Sequence, residues 1–348
     1  MTCHECETLP FVTFTDNLLI IRLPTRHSAT KLLGVVRTLG VAPSRMDDPL
    51  CHRFHLPDAT LLDLMLALSE TLTGEELTHA RCVILPANQE PGISELLAAV
   101  SLRQMIASIR GRWLNLLLQE DRYFSMLQPI YAADGAPFGY EALFRGRSEE
   151  GGILAPHALF SVAEEAGLLF ALDLKARQSA ISTMARRPKD NAHLFVNFNP
   201  SSIYDPDFCL RTTRDLVSRV GLTPENIVFE VTETTRAHDE NHLRAILDYY
   251  RAAGFQVALD DIGAGFSGLN LLQLLQPDFM KIDMALIRDI DSDAYKQSIV
   301  RHLIGIAHDC GAKVVAEGIE TGAELDWVRD AGADLVQGYL LGRPAAVA

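Results

Sequence analysis

The chain has 348 residues, 48% of them hydrophobic and 22% charged, a balance that excludes an intrinsically disordered protein. Apolar runs such as LLII and LFAL fall far short of the roughly 20 residues of a membrane-spanning helix, and MTCHECETLP has neither the basic nor the apolar part of a secretory leader, so a cytoplasmic protein without a membrane anchor is expected. A formal net charge of −14 disfavours nucleic acid polymers as partners and demands bound cations wherever an anionic substrate meets acidic side chains.

In chain order, residues 1–90 predict a small α/β domain of regulatory or sensory kind. FVTFTDNLLIIRL alternates as strands do, SATKLLGVVRTLG and ATLLDLMLALSETL have helical spacing, and ARCVILP reads as a further strand. The six cysteines are too sparse for a disulfide scaffold. Cys3 and Cys6 form a C-x-x-C, and CHRFH adds Cys51, His52 and His55. Cys3 and Cys6 with two of those three make a candidate structural zinc (Zn²⁺) site; ordinary packing of single residues and a redox pair are the competing readings. Residues 91–120 keep apolar side chains at helical spacing and predict one connecting helix, which either links sensor to effector, pairs with a second subunit, or packs on the domain that follows.

From residue 121 onward, short β-rich runs alternate with helical ones: LFVNFNP, IVFEVTE, QVALDDIG, FMKID, KVVAEGIE and LVQGY each precede or follow an amphipathic stretch. Gly254, Gly311 and Gly332 punctuate helix ends. Six or more such units without a glycine-rich dinucleotide fingerprint predict a (β/α)8, TIM-like barrel over residues 121–348 rather than an open doubly wound sheet.

The strand exits then carry Glu141, Asn197, Glu230, Glu233, Asp260, Asp261, Lys281, Asp283, Glu317, Glu320 and Gln337. In a barrel those ends converge on the face where catalytic groups are found. Any one of these acids could cap a following helix, but a crowd of carboxylates repels itself unless cations lie between them. Oxygen donors with no histidine among them point to Mg²⁺ or Mn²⁺ rather than zinc. Adjacent Asp260 and Asp261 suit a pair of ions, a recurring device for phosphate ester hydrolysis. Lys281 is either a fixed positive charge for a phosphoryl oxygen or water, or a structural partner of Asp283; Glu317 is either a general base or a metal ligand.

The motifs EALFR, VNFNP, EVTE, DDIGAGFSGL, KID, AEGIET and QGYLLGRP, in this order over about residues 121–345, resemble those of the EAL-domain cyclic di-GMP phosphodiesterases. The resemblance implies a modified barrel with an antiparallel first strand, hydrolysing cyclic di-GMP to linear pGpG with Mg²⁺ or Mn²⁺. It implies that Glu141, Asn197, Glu230 and Asp260 ligate a first metal, that Asp260 is shared and that Asp261 holds the second. Lys281 and Glu317 then position and activate the water, either one as base, with Gln337 beside them. Gln128, Leu143 and Arg145 contact the dinucleotide, and Glu233 steadies the loop after Asp261, a loop that implies a homodimer. Two departures fall in that loop, where Ile262 and Ala264 replace the usual Phe and Thr. A non-catalytic cyclic di-GMP receptor acting through a protein partner is the alternative, but every mapped ligand is retained.

Overall fold

The computed structural model describes residues 14–44, 46–187, 191–200, 203, 211–232, 240–263 and 268–347. Two units emerge: one built on Arg122–Pro156 and the chain from Phe170 onward, the other on the chain up to Asp121 together with His157–Leu169. No helix among the described residues is long and apolar enough to cross a membrane.

In the amino-terminal unit, strands β1 (Asp16–Arg22), β2 (Cys51–Pro57), β3 (Arg81–Pro86) and β4 (Val100–Ser101) form an antiparallel sheet in the order β2-β1-β3-β4. Leu19, Ile21, Phe54 and Leu56 on this sheet bury against Leu32, Leu64, Leu68 and Ile106 of three helices. The first of these helices, Arg26–Thr38, starts where the Thr25 hydroxyl accepts the Ser28 N–H at 3.1 Å.

The single connecting helix expected over residues 91–120 is corrected to three, Ile93–Leu97, Leu102–Arg110 and Arg112–Gln119. Helical spacing was real, but two local choices break it. Val100 and Ser101 extend to pair with β3, and the Ser101 hydroxyl then caps the next helix by accepting the Gln104 N–H at 3.1 Å. Gly111 makes the second break.

The second unit closes an eight-stranded barrel. Strands β6 (Pro137–Arg147), β8 (His193–Asn197), β9 (Ile227–Thr232), β10 (Gln256–Ile262), β11 (Phe279–Ile282), β12 (Lys313–Ala316) and β13 (Leu335–Val336) run parallel, and β5 (Tyr123–Ala132) closes the ring antiparallel to both β13 and β6. Short strands β7 (Ile153–Leu154) and β14 (Ala345–Ala346) extend the rim. Alternate side chains divide between two environments. Leu194, Val196, Phe229, Val231, Val257, Leu259, Met280 and Val314 face outward into the packing with the helices. Ile130, Phe195, Val228, Ala258, Phe279, Val315 and Leu335 fill the barrel as one apolar layer, in which the Phe195 and Phe279 rings meet edge to face at 5.1 Å.

Candidate active site

The apolar layer determines what lies above it. Moving two residues toward the open end from each of its members gives Gln128, Asn197, Glu230, Asp260, Lys281, Glu317 and Gln337. Because strand side chains repeat with period two, all seven point into the barrel, one pleat above a hydrophobic floor. Glu141 on β6 completes the ring, in register with Phe195 on one side and Gln128 on the other.

Lys281 occupies the centre. Its Nζ lies 2.6 Å from Glu230 Oε1, 2.8 Å from Glu317 Oε1, 3.0 Å from Asp260 Oδ1 and 3.9 Å from Glu141 Oε2. Asp283, its other expected partner, instead caps the short helix Met284–Ile287 by accepting the Ala285 N–H. Burial alone would lower the lysine pKa, but the surrounding carboxylates of Asp260, Glu141, Glu230 and Glu317 outweigh it and hold the group well above its ordinary value. Burial pushes Glu230 well up despite the ammonium, and pushes Glu317 to about 8, with Asp260 and Glu141 adding repulsion.

Strict alternation would send Asp261 outward. Register with β11 slips between Leu259 and Ile262, and Asp261 takes a left-handed backbone with φ of 59°. Such a bulge re-aims a side chain at a cost on the order of 1 kcal/mol. As a result, carboxylate oxygens of Asp260, Asp261 and Glu317 come within 4.8 Å of one another. Burial, then the Asp260 charge, raises the Asp261 pKa to about 6.

Glu141 is oriented by amide donors: Gln337 Nε2 donates to its Oε2 at 2.6 Å and Asn197 Nδ2 to its Oε1 at 3.4 Å. Leu143 and Arg145 follow Glu141 on the same face of β6, and the half-buried Arg145 donates to the Phe144 carbonyl at 2.8 Å. Gln128 donates to the Gly342 carbonyl at 3.2 Å. Glu320 leaves the ring and pairs with Arg288 at 2.8 Å. Glu233, Ala264, Cys3 and Cys6 lie outside the described residues. On β2, His52 faces the core while Cys51 and His55 take the opposite face, so His52 does not converge with those two.

Sequence reasoning missed two supports. Asp173 accepts the Asn199 N–H at 3.2 Å and pairs with the fully buried Arg177 at 3.1 Å, anchoring the segment just after Asn197. Glu324 binds two loops of the barrel mouth together. Its T-x-x-E spacing with Thr321 was a legible capping box.

The residues fit divalent cations. Four carboxylates face one ammonium, and the buried Glu230 Oε2 and Gln337 Oε1 have no hydrogen-bond partner among the described residues. Hard oxygen donors, poor in internal partners, suit Mg²⁺ or Mn²⁺.

The EAL domain profile matches residues 111–344. The chain belongs to the EAL-domain family. PdeF of Escherichia coli, a cyclic di-GMP phosphodiesterase, is 30% identical over 229 residues, 65% of this chain and 30% of that protein; this chain spans less than a third of the first curated relatives it matches. The cyclic di-GMP-bound standalone versatile EAL protein of Vibrio cholerae is 36% identical, with a TM-score of 0.57 over 65% of this chain and 95% of that one. Klebsiella pneumoniae BlrP1, in a manganese and cyclic di-GMP complex, is 27% identical with a TM-score of 0.58, over 95% of this chain and 96% of that one. The EAL barrel thus carries the closed architecture of solved relatives.

Proposed function

We propose that this EAL chain is a cyclic di-GMP phosphodiesterase that cleaves one 3′-5′ phosphodiester to linear pGpG with two divalent cations, Mg²⁺ or Mn²⁺. The observation that carries the reading is the ring of Glu141, Glu230, Asp260 and Glu317 about the buried Lys281 ammonium, with Asp261 turned in beside them. Glu141, Asn197, Glu230 and Asp260 would hold the first ion, and Asp260 with Asp261 the second. When bound, the cations neutralise the carboxylates, stabilise charge on the phosphoryl oxygens and acidify the attacking water.

The chain's own groups do the rest. Lys281 stays an ammonium because carboxylates surround it, so it supplies charge to a phosphoryl oxygen rather than accepting a proton. The proton acceptor is then Glu317, whose basicity rises because burial, with Asp260 and Glu141 repelling it, lifts its pKa to about 8. Gln337 fixes the Glu141 carboxylate, while Arg145, Leu143 and Gln128 line the same face of β6 and β5 as dinucleotide contacts. Homodimerisation and control by the amino-terminal unit belong to the same reading.

The test is turnover of cyclic di-GMP by the purified chain with Mg²⁺, Mn²⁺ or EDTA, resolving pGpG chromatographically. Metal-dependent pGpG is expected. Nucleotide binding without product under every condition would replace this reading with that of a receptor.

A further inference from the structure

Glu324 lies in the first turn of helix Gly322–Asp330, a place where glutamate ordinarily caps its own helix in solvent. Here it is 1% exposed, and its two oxygens serve different loops. Oε2 accepts the Glu320 N–H at 2.8 Å and the Thr321 N–H at 3.0 Å, on the loop that follows Glu317. Oε1 accepts the Asp289 N–H at 3.0 Å, on the segment that follows Lys281. Burial opposes its charge, yet the donated N–H groups and Arg288 hold its pKa below the ordinary value, so it bridges as a carboxylate.

The bridged segments also interlock. The short helix Met284–Ile287 lies between Gly263, two residues past Asp261, and Gly318, next to Glu317. A Cβ at either glycine would run into Leu286 or Met284 respectively. The segment carrying Lys281 is therefore wedged between the exits that bear Asp261 and Glu317. Two side chains tie its far end to the Glu317 loop: Glu324, which accepts from both, and Arg288, which donates to the Gly318 carbonyl at 3.4 Å and pairs with Glu320 at 2.8 Å.

We propose that Glu324 is a positioning residue for the metal site: by clasping Asp289 to Glu320 and Thr321 it fixes the Glu317 carboxylate relative to Lys281 and the Asp260–Asp261 pair. The inference deepens the phosphodiesterase reading and takes the Asp260–Asp261–Glu317 carboxylate cluster, whose oxygens lie within 4.8 Å of one another, as the part of the metal site that the clasp fixes; it needs no turnover to be tested. Partners behind metal ligands commonly contribute 10- to 100-fold in affinity.

Glu324→Gln separates clasp from cap. A glutamine oxygen still accepts the Thr321 and Glu320 N–H groups, but its amide then meets the Asp289 N–H donor to donor. Thr321→Ala does the reverse, removing the hydroxyl that accepts the Glu324 N–H at 3.2 Å and leaving the bridge. Mn²⁺ binding to the full chain, by calorimetry and electron spin resonance, and thermal melting in EDTA are measured on both variants. Expected are an approximately tenfold or greater loss of Mn²⁺ affinity in Glu324→Gln, out of proportion to its fall in melting temperature, and in Thr321→Ala a lower melting temperature with wild-type Mn²⁺ affinity. Should Glu324→Gln not fold, Glu324→Asp, which keeps the charge but withdraws it by one methylene, gives the same readout. Wild-type Mn²⁺ affinity in the folded clasp variant overturns the proposal, as does a loss that follows melting temperature equally in both variants. If the wild type binds Mn²⁺ but makes no pGpG, the phosphodiesterase reading fails while this comparison still decides the clasp.

Discussion

Removing the Lys281 ammonium leaves Glu141, Glu230, Asp260 and Glu317 facing one another in a buried space without a counter-ion. Breaking a buried ionic network by deleting one partner costs about 3–5 kcal/mol, so Lys281→Met in EDTA should lose stability on that scale in urea melts, and added Mn²⁺ should return part of it. Equal stability with and without the lysine would show that the carboxylates are already neutral. The same crowding sets a pH dependence. Asp261 rises from 3.8 to about 6 and Glu317 from 4.5 to about 8 on folding. At these two sites the folded metal-free chain holds more protons than the unfolded chain between about pH 4 and 8, so their contribution to stability falls as pH rises through that window, against the opposite slope of His52 and His193, whose pKa burial lowers. In EDTA the melting temperature of the chain relative to Glu317→Gln should fall as pH rises from 5 to 8, and Mn²⁺ should flatten that fall; a difference that stays constant with pH would contradict the burial of Glu317. The residue types of this ring were legible because strand-exit acids stand out against apolar runs. Asp173 and Arg177 were not, since a charged residue on a helical stretch reads as solvated until burial is known, and for Glu324 the cap was legible but the bridge to Asp289 was not.

At the scale of elements, the strands of the barrel were readable because each is a short β-rich run bounded by turn residues, and period two then orders the apolar floor and the polar ring above it. The register slip in β10 was not readable. Nothing in LDDIG distinguishes one inward aspartate from two, and only the pairing with β11 shows Asp261 turned by its positive φ. The helix expected across residues 91–120 failed for a similar reason: helical spacing persisted, while the sheet edge at β3 claimed Val100 and Ser101. Close packing between exits gives a test. Gly318 has φ of 70°, and a methyl there would run into the Met284 Cβ. Gly318→Ala should therefore destabilise by about 1–3 kcal/mol through overpacking and backbone strain. Met284→Ala should not rescue it, because the obstructing atom is the one alanine retains. Recovery of the melting temperature in that double variant would place the clash further along the methionine side chain.

For the whole molecule, the packing changes unit after Asp121, next to the boundary drawn from sequence at residue 120, and it changes again further along the chain. The segment His157–Leu169, which interrupts the barrel between β7 and helix Leu169–Met184, clusters with the amino-terminal unit. The Ser108 hydroxyl donates to the Ala166 carbonyl at 3.1 Å, and Gly111 packs so closely that a Cβ there would stand 2.7 Å from the Ala166 Cβ. Leu159 and Ala163 on the same helix are fully buried, and Ala166 is 2% exposed. A chain of residues 122–348 keeps every strand of the barrel and every assigned ligand, but it strips this helix of its partners. Exposing a leucine such as Leu159 costs about 1.5–3 kcal/mol, which for a domain of this size lowers the melting temperature by roughly 3–10 °C. The truncated chain should melt lower by that amount, and its amide exchange should accelerate first in residues 157–169 while β8 to β12 stay protected. Mn²⁺ binding should persist, because the ligands sit on those strands. A truncated chain that melts with the full one and protects residues 157–169 equally would mean that the helix is held by the barrel. Loss of exchange protection confined to residues 157–169 would show that this helix takes its stability from residues 14–121.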